Sequence, residues 1–311
     1  MTNSSDAVIQ TVDLTYRYGK FTAIQDVNLQ VKRGEIFGFL GPNGAGKTTT
    51  IRTLLDFLRP SEGSATIFGL DTRQDSVAIR QRIGYLPSEL TLLNNWTGVQ
   101  YVRWLENLRG ANNGYLAEAQ RLAEHLDYDL SRSLKGLSTG MKRKMGLIAA
   151  MLHKPELLIL DEPTNGLDPL MQQVFHELVK EARDEGRTVF LSSHNLAEVE
   201  DICDRVGIIR TGRMEAVETV TNLTRVTFRW LVLTLDEAAS LDVAAIADGF
   251  SAIQGVTEVE ARGSELRMRV SGHVDMNAVI KCAAQVAVAD ININYPTLEE
   301  IFLAYYGKKE A

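Results

Sequence analysis

The feature that most constrains the fold is a glycine-rich segment that lies between a short apolar run and a predicted helix. It reads Gly41-Pro42-Asn43-Gly44-Ala45-Gly46-Lys47-Thr48, the pattern G-x-x-x-x-G-K-T. The preceding run, residues 36–40, predicts a buried strand, and the residues from 49 to 55 predict the start of a helix. In this setting backbone N–H groups and the helix N-terminus can bind a polyphosphate. Lys47 would reach the β- and γ-phosphates, and the Thr48 hydroxyl would ligate Mg²⁺. The segment therefore predicts a nucleotide-binding site in an α/β fold.

Composition narrows the class of protein further. The chain has 311 residues and a net charge of −7, and this acidic balance argues against nucleic acid as the main partner. Its apolar stretches are all shorter than the ~18–20 residues that a membrane span needs. The polar N-terminus lacks a basic and then apolar leader, so we expect no secretion signal. The two cysteines, Cys203 and Cys282, form no CxxC motif and have no histidine pair nearby, so their spacing does not indicate a metal site. This favours reduced thiols in the cytoplasm. Any membrane role is therefore expected to pass through a partner chain.

The order of predicted strands and helices indicates two parts. Residues 75–155 show mainly helical spacing, and from residue 157 strands alternate with helices, which predicts a mostly parallel sheet covered on both faces. From about residue 222 the pattern becomes β-α-β-β-α-β, the order of a small ferredoxin-like α+β unit. Residues 297–300 form a capping box that predicts a last helix. We therefore expect a nucleotide-binding domain over residues 1–221, with a helical subdomain at about 75–155, and an accessory domain over 222–311.

Two acidic residues follow a second apolar run. Leu157–Leu160 predicts a central strand, and Asp161 would emerge at its carboxyl end beside the phosphate-binding loop, where it can orient Mg²⁺. Glu162, one residue further on, can polarise the attacking water as a general base. The alternative is an ordinary strand end that carries surface acids.

Two further segments favour anion binding more weakly. Leu137–Lys144 places Ser138 and Gly140 at a helix N-terminus, where backbone N–H groups attract anions. Its first-turn cations are unfavourable with the helix dipole, which suggests an anionic partner. The alternative is an N-cap serine followed by a basic turn. His194 follows a predicted strand and can hydrogen-bond a γ-phosphate, although a histidine at this place is also consistent with a plain helix cap.

Taken in order, these segments resemble the ATP-binding subunit of an ABC transporter over roughly residues 8–220. The resemblance assigns Gly41–Thr48 to its Walker A, Leu137–Lys144 to its signature sequence, Leu157–Glu162 to its Walker B, Gly166–Pro169 to its D-loop and Ser193-His194 to its switch histidine. The signature form with Thr139 and Met141, and the C-terminal segment 296–303, resemble the drug-exporter branch typified by daunorubicin-resistance ATPases. An accessory domain of this size is usual in that branch.

The resemblance also implies roles for individual residues. Glu162 and His194 would be catalytic, Thr48 and Asp161 would ligate Mg²⁺, and Asp168 would belong to the D-loop. ATP would be bound by Tyr18, Gly41, Pro42, Asn43, Gly44, Ala45, Gly46, Lys47, Thr48 and Thr49, while Ser138, Thr139 and Gly140 would contact the ATP of a partner subunit. Tyr18 would stack on adenine, or else it is a turn tyrosine that packs on the sheet.

One position departs from the family pattern. The glutamine expected after residues 83–87 is replaced by Ser88, with Glu89 next. A serine reaches less far than a glutamine, so we expect Ser88 to act through a bridging water. We expect Glu89 to face a membrane partner or solvent, because a third carboxylate beside Asp161 and Glu162 would repel the γ-phosphate.

The resemblance further implies a mechanism. Two such subunits, a homodimer or a pair of paralogues, would close head-to-tail around ATP, and the helical subdomain would receive a helix of an integral-membrane permease. The chain would then lie at the cytoplasmic face of the membrane, bound through the permease. Two alternatives stay open at this stage: a soluble ABC ATPase that acts in DNA repair or on ribosomes, and a switch in which residues 222–311 sense a ligand. The repair type has a long coiled-coil insertion and the ribosomal type has two cassettes, and this sequence has neither.

Overall fold

Continuous apolar runs in the sequence form the central strands of the nucleotide-binding part. The computed structural model describes residues 6–93, 95–110, 114–226, 228–236, 243–296 and 300. The chain divides into two compact units, Met1–Glu218 and Thr219–Ala311.

The first unit contains ten strands and seven helices among its described residues. In chain order they are β1 (Ala7–Tyr18), β2 (Phe21–Lys32), β3 (Ile36–Leu40), α1 (Lys47–Leu54), β4 (Glu62–Ile67), β5 (Leu70–Asp71), α2 (Ser76–Gln81), β6 (Ile83–Leu86), α3 (Gly98–Leu108), α4 (Tyr115–His125), α5 (Thr139–Met151), β7 (Leu157–Asp161), α6 (Pro169–Asp184), β8 (Thr188–Ser193), α7 (Leu196–Ile202), β9 (Arg205–Arg210) and β10 (Arg213–Thr219), whose last residue falls in the second unit.

Two sheets organise this unit. The larger has the order β10-β9-β3-β8-β7-β6, and β3 pairs in parallel with both β8 and β9, while β7 pairs in parallel with β6 and β8. The smaller sheet, β2-β1-β4-β5, is antiparallel where β1 pairs with β2 and β4. The prediction of a mostly parallel sheet describes the larger one only. The smaller sheet is antiparallel because the two-residue turn Gly19-Lys20 joins β1 and β2 as a hairpin.

The apolar strands are buried on both faces, as parallel strands covered by helices must be. Every residue of β3 and of β7 is buried. Phe190 of β8 stacks on Phe37 at a centroid distance of 5.9 Å and lies 5.5 Å from Phe39. The strand order β3-β8-β7 places the carboxyl ends of β3 and β7 at the same edge of the sheet, with β8 between the two strands. The loop after β3 and the acids after β7 therefore lie at the same edge.

Among its described residues, the region predicted as helical, 75–155, contains four helices but also the strand β6, which belongs to the parallel sheet. Gly84 explains how this strand can pack against α5. A Cβ atom at Gly84 would lie 2.0 Å from the carbonyl oxygen of Ala150, so only glycine permits this approach. The helical spacing on either side concealed a strand of only four residues.

The second unit has α8 (Val220–Val226), β11 (Phe228–Leu235), α9 (Val243–Ser251), β12 (Val256–Arg262), β13 (Glu265–Ser271), α10 (Met276–Ala283) and β14 (Val288–Asn294). Its sheet has the order β12-β13-β11-β14, and all three neighbouring pairs are antiparallel. From β11 onward, the strand and helix order is the predicted β-α-β-β-α-β. The α+β class is therefore as predicted, and the ferredoxin-like assignment stays a prediction that this strand order supports. Of the predicted capping box, residues 297–299 lie outside the described residues.

Within the described ranges, none of the helices has both the length and the apolar character needed to cross a bilayer.

Candidate nucleotide-binding site

The glycine-rich loop connects β3 to α1, as the sequence predicted. Gly44 and Gly46 have φ angles of 80° and 110°, which favour glycine. A Cβ atom at Gly41 would lie 2.4 Å from the carbonyl oxygen of Ile209, so the loop also packs closely against β9. Gly46 is the N-cap of α1 and has no side chain to cap it. The first N–H groups of α1 are thus available for an anion.

Lys47 lies at the centre of the site and is only 6 % exposed. Its Nζ donates hydrogen bonds to the carbonyl oxygens of Gly41 at 2.6 Å and Pro42 at 3.3 Å. The same Nζ forms an ion pair with Glu162 Oε1 at 3.1 Å. A buried ammonium with these partners is held where a phosphate bound by the loop would meet it.

Asp161 ends β7 and is fully buried. Its Oδ2 accepts a hydrogen bond from Thr48 Oγ1 at 2.9 Å, and its Oδ1 accepts one from Ser192 Oγ at 2.5 Å. The hydroxyl of Thr48 and the carboxylate of Asp161 are hard oxygen donors, which is the ligand type that Mg²⁺ prefers. These two residues therefore fit a magnesium ion and would hold it beside the phosphate-binding loop.

Glu162 follows Asp161 with a φ angle of 51°, in the left-handed region. Its backbone N–H donates to both Oγ and the carbonyl oxygen of Ser192, at 3.0 and 3.2 Å, which holds this strained position. Its Oε2 lies 2.7 Å from Nδ1 of His194, and its Oε1 binds Lys47. The carboxylate is mostly buried, whereas the His194 side chain is 49 % exposed. The structure thus brings the two predicted catalytic side chains into contact.

A cavity of about 590 Å³ lies over these groups. All the predicted ATP-binding residues except the buried Gly41 line it, as do Glu162 and His194. Asp161 lies behind Thr48. Ser88 and Glu89 also line the cavity, and Glu89 is exposed, so the position that replaces the expected glutamine does lie at the site.

The signature and D-loop residues lie outside this cavity. Ser138 Oγ caps α5 by accepting from the Met141 N–H at 3.3 Å, and Asp168 Oδ1 caps α6 by accepting from the Met171 N–H at 3.0 Å. The alternative of an N-cap serine is therefore observed. Although both side chains cap a helix, Ser138 and Asp168 are exposed, so both remain accessible to a second subunit.

The signature and D-loop segments also lie beside each other. A Cβ atom at Gly140 would lie 2.6 Å from the carbonyl oxygen of Gly166, and one at Gly166 would lie 3.0 Å from a methyl carbon of Thr139. The structure thus brings these two predicted segments together within one chain, away from the cavity.

Two of the cations that follow the signature serine, Arg143 and Lys144, contact backbone carbonyl oxygens. Arg143 is 4 % exposed, and its guanidinium donates to the carbonyl oxygens of Pro87 and Ser88, both at 2.7 Å, and of Asn165 at 3.4 Å. Burial lowers its pKa. Lys144 donates to the carbonyl oxygen of Asp127. Backbone carbonyl oxygens thus satisfy the buried guanidinium of Arg143, and the anionic partner of this segment stays a prediction.

Three residues of the cavity wall, Phe21, Ala23 and Asn165, were missed by the sequence analysis. Phe21 lies directly opposite Tyr18 across the hairpin turn, and both aromatic side chains are exposed, at 67 % and 47 %. The signal was available, because a two-residue turn between Tyr18 and Phe21 places their side chains on one face. Asn165, which also lines the cavity, had no such local signal.

The loop, the buried lysine, the Thr48–Asp161 pair and Glu162 define a P-loop nucleoside triphosphatase. Residues 24–165 match the profile of the ABC transporter family, and residues 229–306 match the C-terminal domain of DrrA1-3-like ATP-binding proteins. The linearmycin resistance ATP-binding protein LnrL of Bacillus subtilis is 33 % identical over 97 % of this chain and 99 % of its own length. The daunorubicin resistance ATP-binding protein DrrA3 of Streptomyces coeruleorubidus is 33 % identical over 97 % of both chains.

A solved structure described as the ATP-binding subunit of an ABC transporter superposes with a TM-score of 0.66. It is 31 % identical and covers 70 % of this chain and 92 % of its own. The chain belongs to the family of ABC transporter ATP-binding proteins. It is an ATP-binding and ATP-hydrolysing cassette followed by a DrrA-type C-terminal domain, so the predicted family and cassette fold are confirmed.

Proposed function

We propose that this chain hydrolyses ATP to power a separate membrane subunit that exports an antibiotic or another drug-like molecule. The relatives that cover nearly the whole chain are named for resistance to linearmycin and daunorubicin, and a bacitracin transport ATP-binding protein of Bacillus licheniformis is 39 % identical over 67 % of this chain. Their shared theme supports export rather than uptake, DNA repair or translation.

The observation that supports the chemistry best is the contact of Glu162 with both Lys47 and His194 beside the cavity. In our proposal, the loop and Lys47 bind the β- and γ-phosphates, and Tyr18 stacks on the adenine. Glu162 accepts a proton from the attacking water, and His194 keeps the carboxylate oriented and contacts the γ-phosphate. Thr48 and Asp161 would hold Mg²⁺, which neutralises phosphate charge when bound.

We also propose that two cassettes close around ATP. The exposed Ser138, with Thr139 and Gly140 beside it, would contact the ATP held by the partner subunit, and Asp168 would contact the partner across the interface. Solved cassettes described as dimeric share this fold at 23 % identity, with a TM-score of 0.62. The partner is a second copy or a paralogue.

The membrane partner would dock on the helical part of the first unit. A groove of about 260 Å³ there is lined by apolar and aromatic side chains, among them Phe57, Tyr85 and Leu105, and also by Arg80, Arg109 and His153. Phe57 is 53 % exposed and Leu108 nearby on α3 is 64 % exposed, so exposed apolar surface adjoins the groove. A short helix of a permease fits such a groove, and it would hold the cassette at the cytoplasmic face of the membrane.

The chemistry is tested by Glu162→Gln, which retains the shape of the side chain but removes the base. We expect the variant to bind ATP, to lose at least about 100-fold in turnover, and to elute as an ATP-dependent dimer in size-exclusion chromatography. Glu177→Gln, which changes an exposed carboxylate on α6, is the matched control. Turnover at the parental rate in Glu162→Gln would show that another group is the base.

The transport role is tested separately. An affinity-tagged chain expressed in its native host should co-purify an integral-membrane protein, and Phe57→Asp should abolish this while leaving the ATPase activity of the isolated chain intact. Co-purification of ribosomes or DNA in place of a membrane protein would contradict the exporter proposal and leave the ATPase assignment untouched.

A further inference from the structure

A buried carboxylate in α7 has no role in ATP hydrolysis as proposed above. Glu198 is 4 % exposed. Its Oε2 accepts two hydrogen bonds, from Ser193 Oγ at 2.8 Å and from Thr164 Oγ1 at 3.2 Å. Buried carboxylates are costly unless they are hydrogen-bonded, so these two contacts need an explanation.

The two hydroxyl donors belong to the segments that contain the catalytic pair. Ser193 directly precedes His194, and Thr164 is two residues after Glu162. Ser193 and Thr164 are themselves buried, at 1 % and 9 % exposure. A single oxygen atom of Glu198 therefore joins the end of β8 to the loop that follows β7.

The backbone of Glu198 is fixed within its own helix, and a histidine of α6 lies near the carboxylate without hydrogen-bonding to it. Asn195 caps α7 and accepts a hydrogen bond from the Glu198 N–H at 3.3 Å, which places Glu198 in the first turn, where the helix dipole favours an acid. His176 of α6 contacts Asp201 through Nδ1 at 2.9 Å, and its Nε2 lies 4.0 Å from Glu198 Oε1. Burial raises the pKa of Glu198, and the hydroxyl groups of Ser193 and Thr164 oppose this.

We infer that Glu198 is a positioning residue for ATP hydrolysis. By accepting from Ser193 and Thr164 together, it fixes the two segments so that His194 Nδ1 stays 2.7 Å from Glu162 Oε2. This inference rests on the proposed roles of Glu162 and His194. It requires only a hydrogen-bond acceptor at the position of Oε2, and the negative charge itself is not needed.

The first test separates turnover from binding. Glu198→Ala removes the acceptor, and we expect kcat to fall about tenfold, the cost of one or two hydrogen bonds, while the KM for ATP stays within about twofold, since Glu198 does not line the cavity. Glu198→Gln keeps an acceptor oxygen and should recover most of the lost rate. Glu177→Ala on the exposed face of α6 is the control. If Glu198→Gln is as slow as Glu198→Ala, or if Glu198→Ala is as fast as the parent, the inference is wrong.

The second test follows His194 directly. In histidine-ring NMR spectra of the full chain, Glu198→Ala should shift the His194 resonances, and those of His273 in the second unit should stay unchanged. A merely structural role for Glu198 would lower the melting temperature without moving the His194 signals of the folded protein. If Glu198→Ala does not fold, Ser193→Ala removes one of the two hydroxyl donors and should give the same shift in weaker form; an unmoved His194 resonance in that variant refutes the inference.

The two proposals fail in different ways. If Glu162→Gln and His194→Ala both retain parental turnover, the proposed catalytic roles are wrong. If those variants are inactive and Glu198→Ala still behaves as the parent, only the positioning role is wrong.

Discussion

Replacing Lys47 with methionine should lower the thermal stability of the nucleotide-free protein, besides abolishing nucleotide binding. The structure buries Lys47 to 6 % exposure and pairs it with Glu162. Methionine fills a similar volume but leaves Glu162 without its cationic partner, so the change removes mainly the charge.

The size of the effect follows from the contact. At 3.1 Å and an effective dielectric constant of about 20, the pair attracts by roughly 5 kcal/mol, an upper limit before desolvation is counted. Removing one partner of a buried pair commonly costs about 3–5 kcal/mol. Glu162 keeps its contact with the half-exposed His194, so we take about 2 kcal/mol. For a domain of this size that corresponds to a fall in Tm of about 4–8 °C.

Differential scanning calorimetry of the full chain without nucleotide measures this shift. Lys20→Met, which changes an exposed lysine in the β1–β2 turn, is the matched control and should leave Tm unchanged. The double variant Lys47→Met with Glu162→Gln should recover most of the lost stability, because no unpaired carboxylate is then left buried. An unchanged Tm in Lys47→Met, or no recovery in the double variant, would refute this account of the pair.

Three further outcomes are expected. Phe21→Ala should weaken ATP binding about fivefold in titration calorimetry, since an aromatic ring that faces Tyr18 offers a second wall for the base; an unchanged affinity would exclude Phe21 from the site. Ser88→Gln should retain or raise ATPase activity and Glu89→Ala should cost little, whereas loss of most activity with altered Mg²⁺ dependence in Glu89→Ala would show that Glu89 has replaced the glutamine. Burial lowers the pKa of His153 to about 4. As the pH is lowered, the unfolded chain takes up a proton on His153 near pH 6.5, whereas the folded chain does not until about pH 4. The free energy of unfolding should therefore decrease as the pH is lowered through this window, by about 1.4 kcal/mol per pH unit. His153→Gln should flatten this part of the profile in urea titrations, and an unchanged slope would contradict the assignment.

The sequence predicted the parts of the site that are local in the chain. The glycines of the loop 41–48 indicate its backbone geometry in the sequence itself. The two acids, Asp161 and Glu162, follow a strand that the apolar run 157–160 identifies. Parallel strands bring their carboxyl ends to one edge, so the meeting of these two segments also followed from pattern alone. The β-α-β-β-α-β order of the second unit was visible because each strand alternates or is bounded by a turn.

Contacts between distant residues left no such pattern. Arg143 stands 56 and 55 residues from the carbonyl oxygens of Pro87 and Ser88 that it binds, so its spacing in the sequence indicated only an unfavourable first-turn charge. The strand β6 was hidden within a region of helical spacing because four residues are too few to show a period. Glu198, on a helix of seven residues, had the appearance of an ordinary surface acid.

Arg143 and Glu198 share a property that bears on how the cassette works. Each is a buried charged side chain whose partners come from segments far apart in the chain: Arg143 binds the segment after β6 and Asn165, and Glu198 binds Thr164 and Ser193. A buried charged group is tolerated only while it is hydrogen-bonded. Moving one of the bound segments away would therefore leave the charged group with an uncompensated desolvation cost. Thr164 and Asn165 are adjacent, which means that the two networks meet in the loop after Glu162. Displacement of the segment at Pro87 and Ser88 is thereby opposed through Arg143 at the same loop that Glu198 joins to Ser193, the residue before His194. In our proposal, a membrane partner in the groove formed in part by β6 would act on the proposed catalytic pair, Glu162 and His194, through this shared loop.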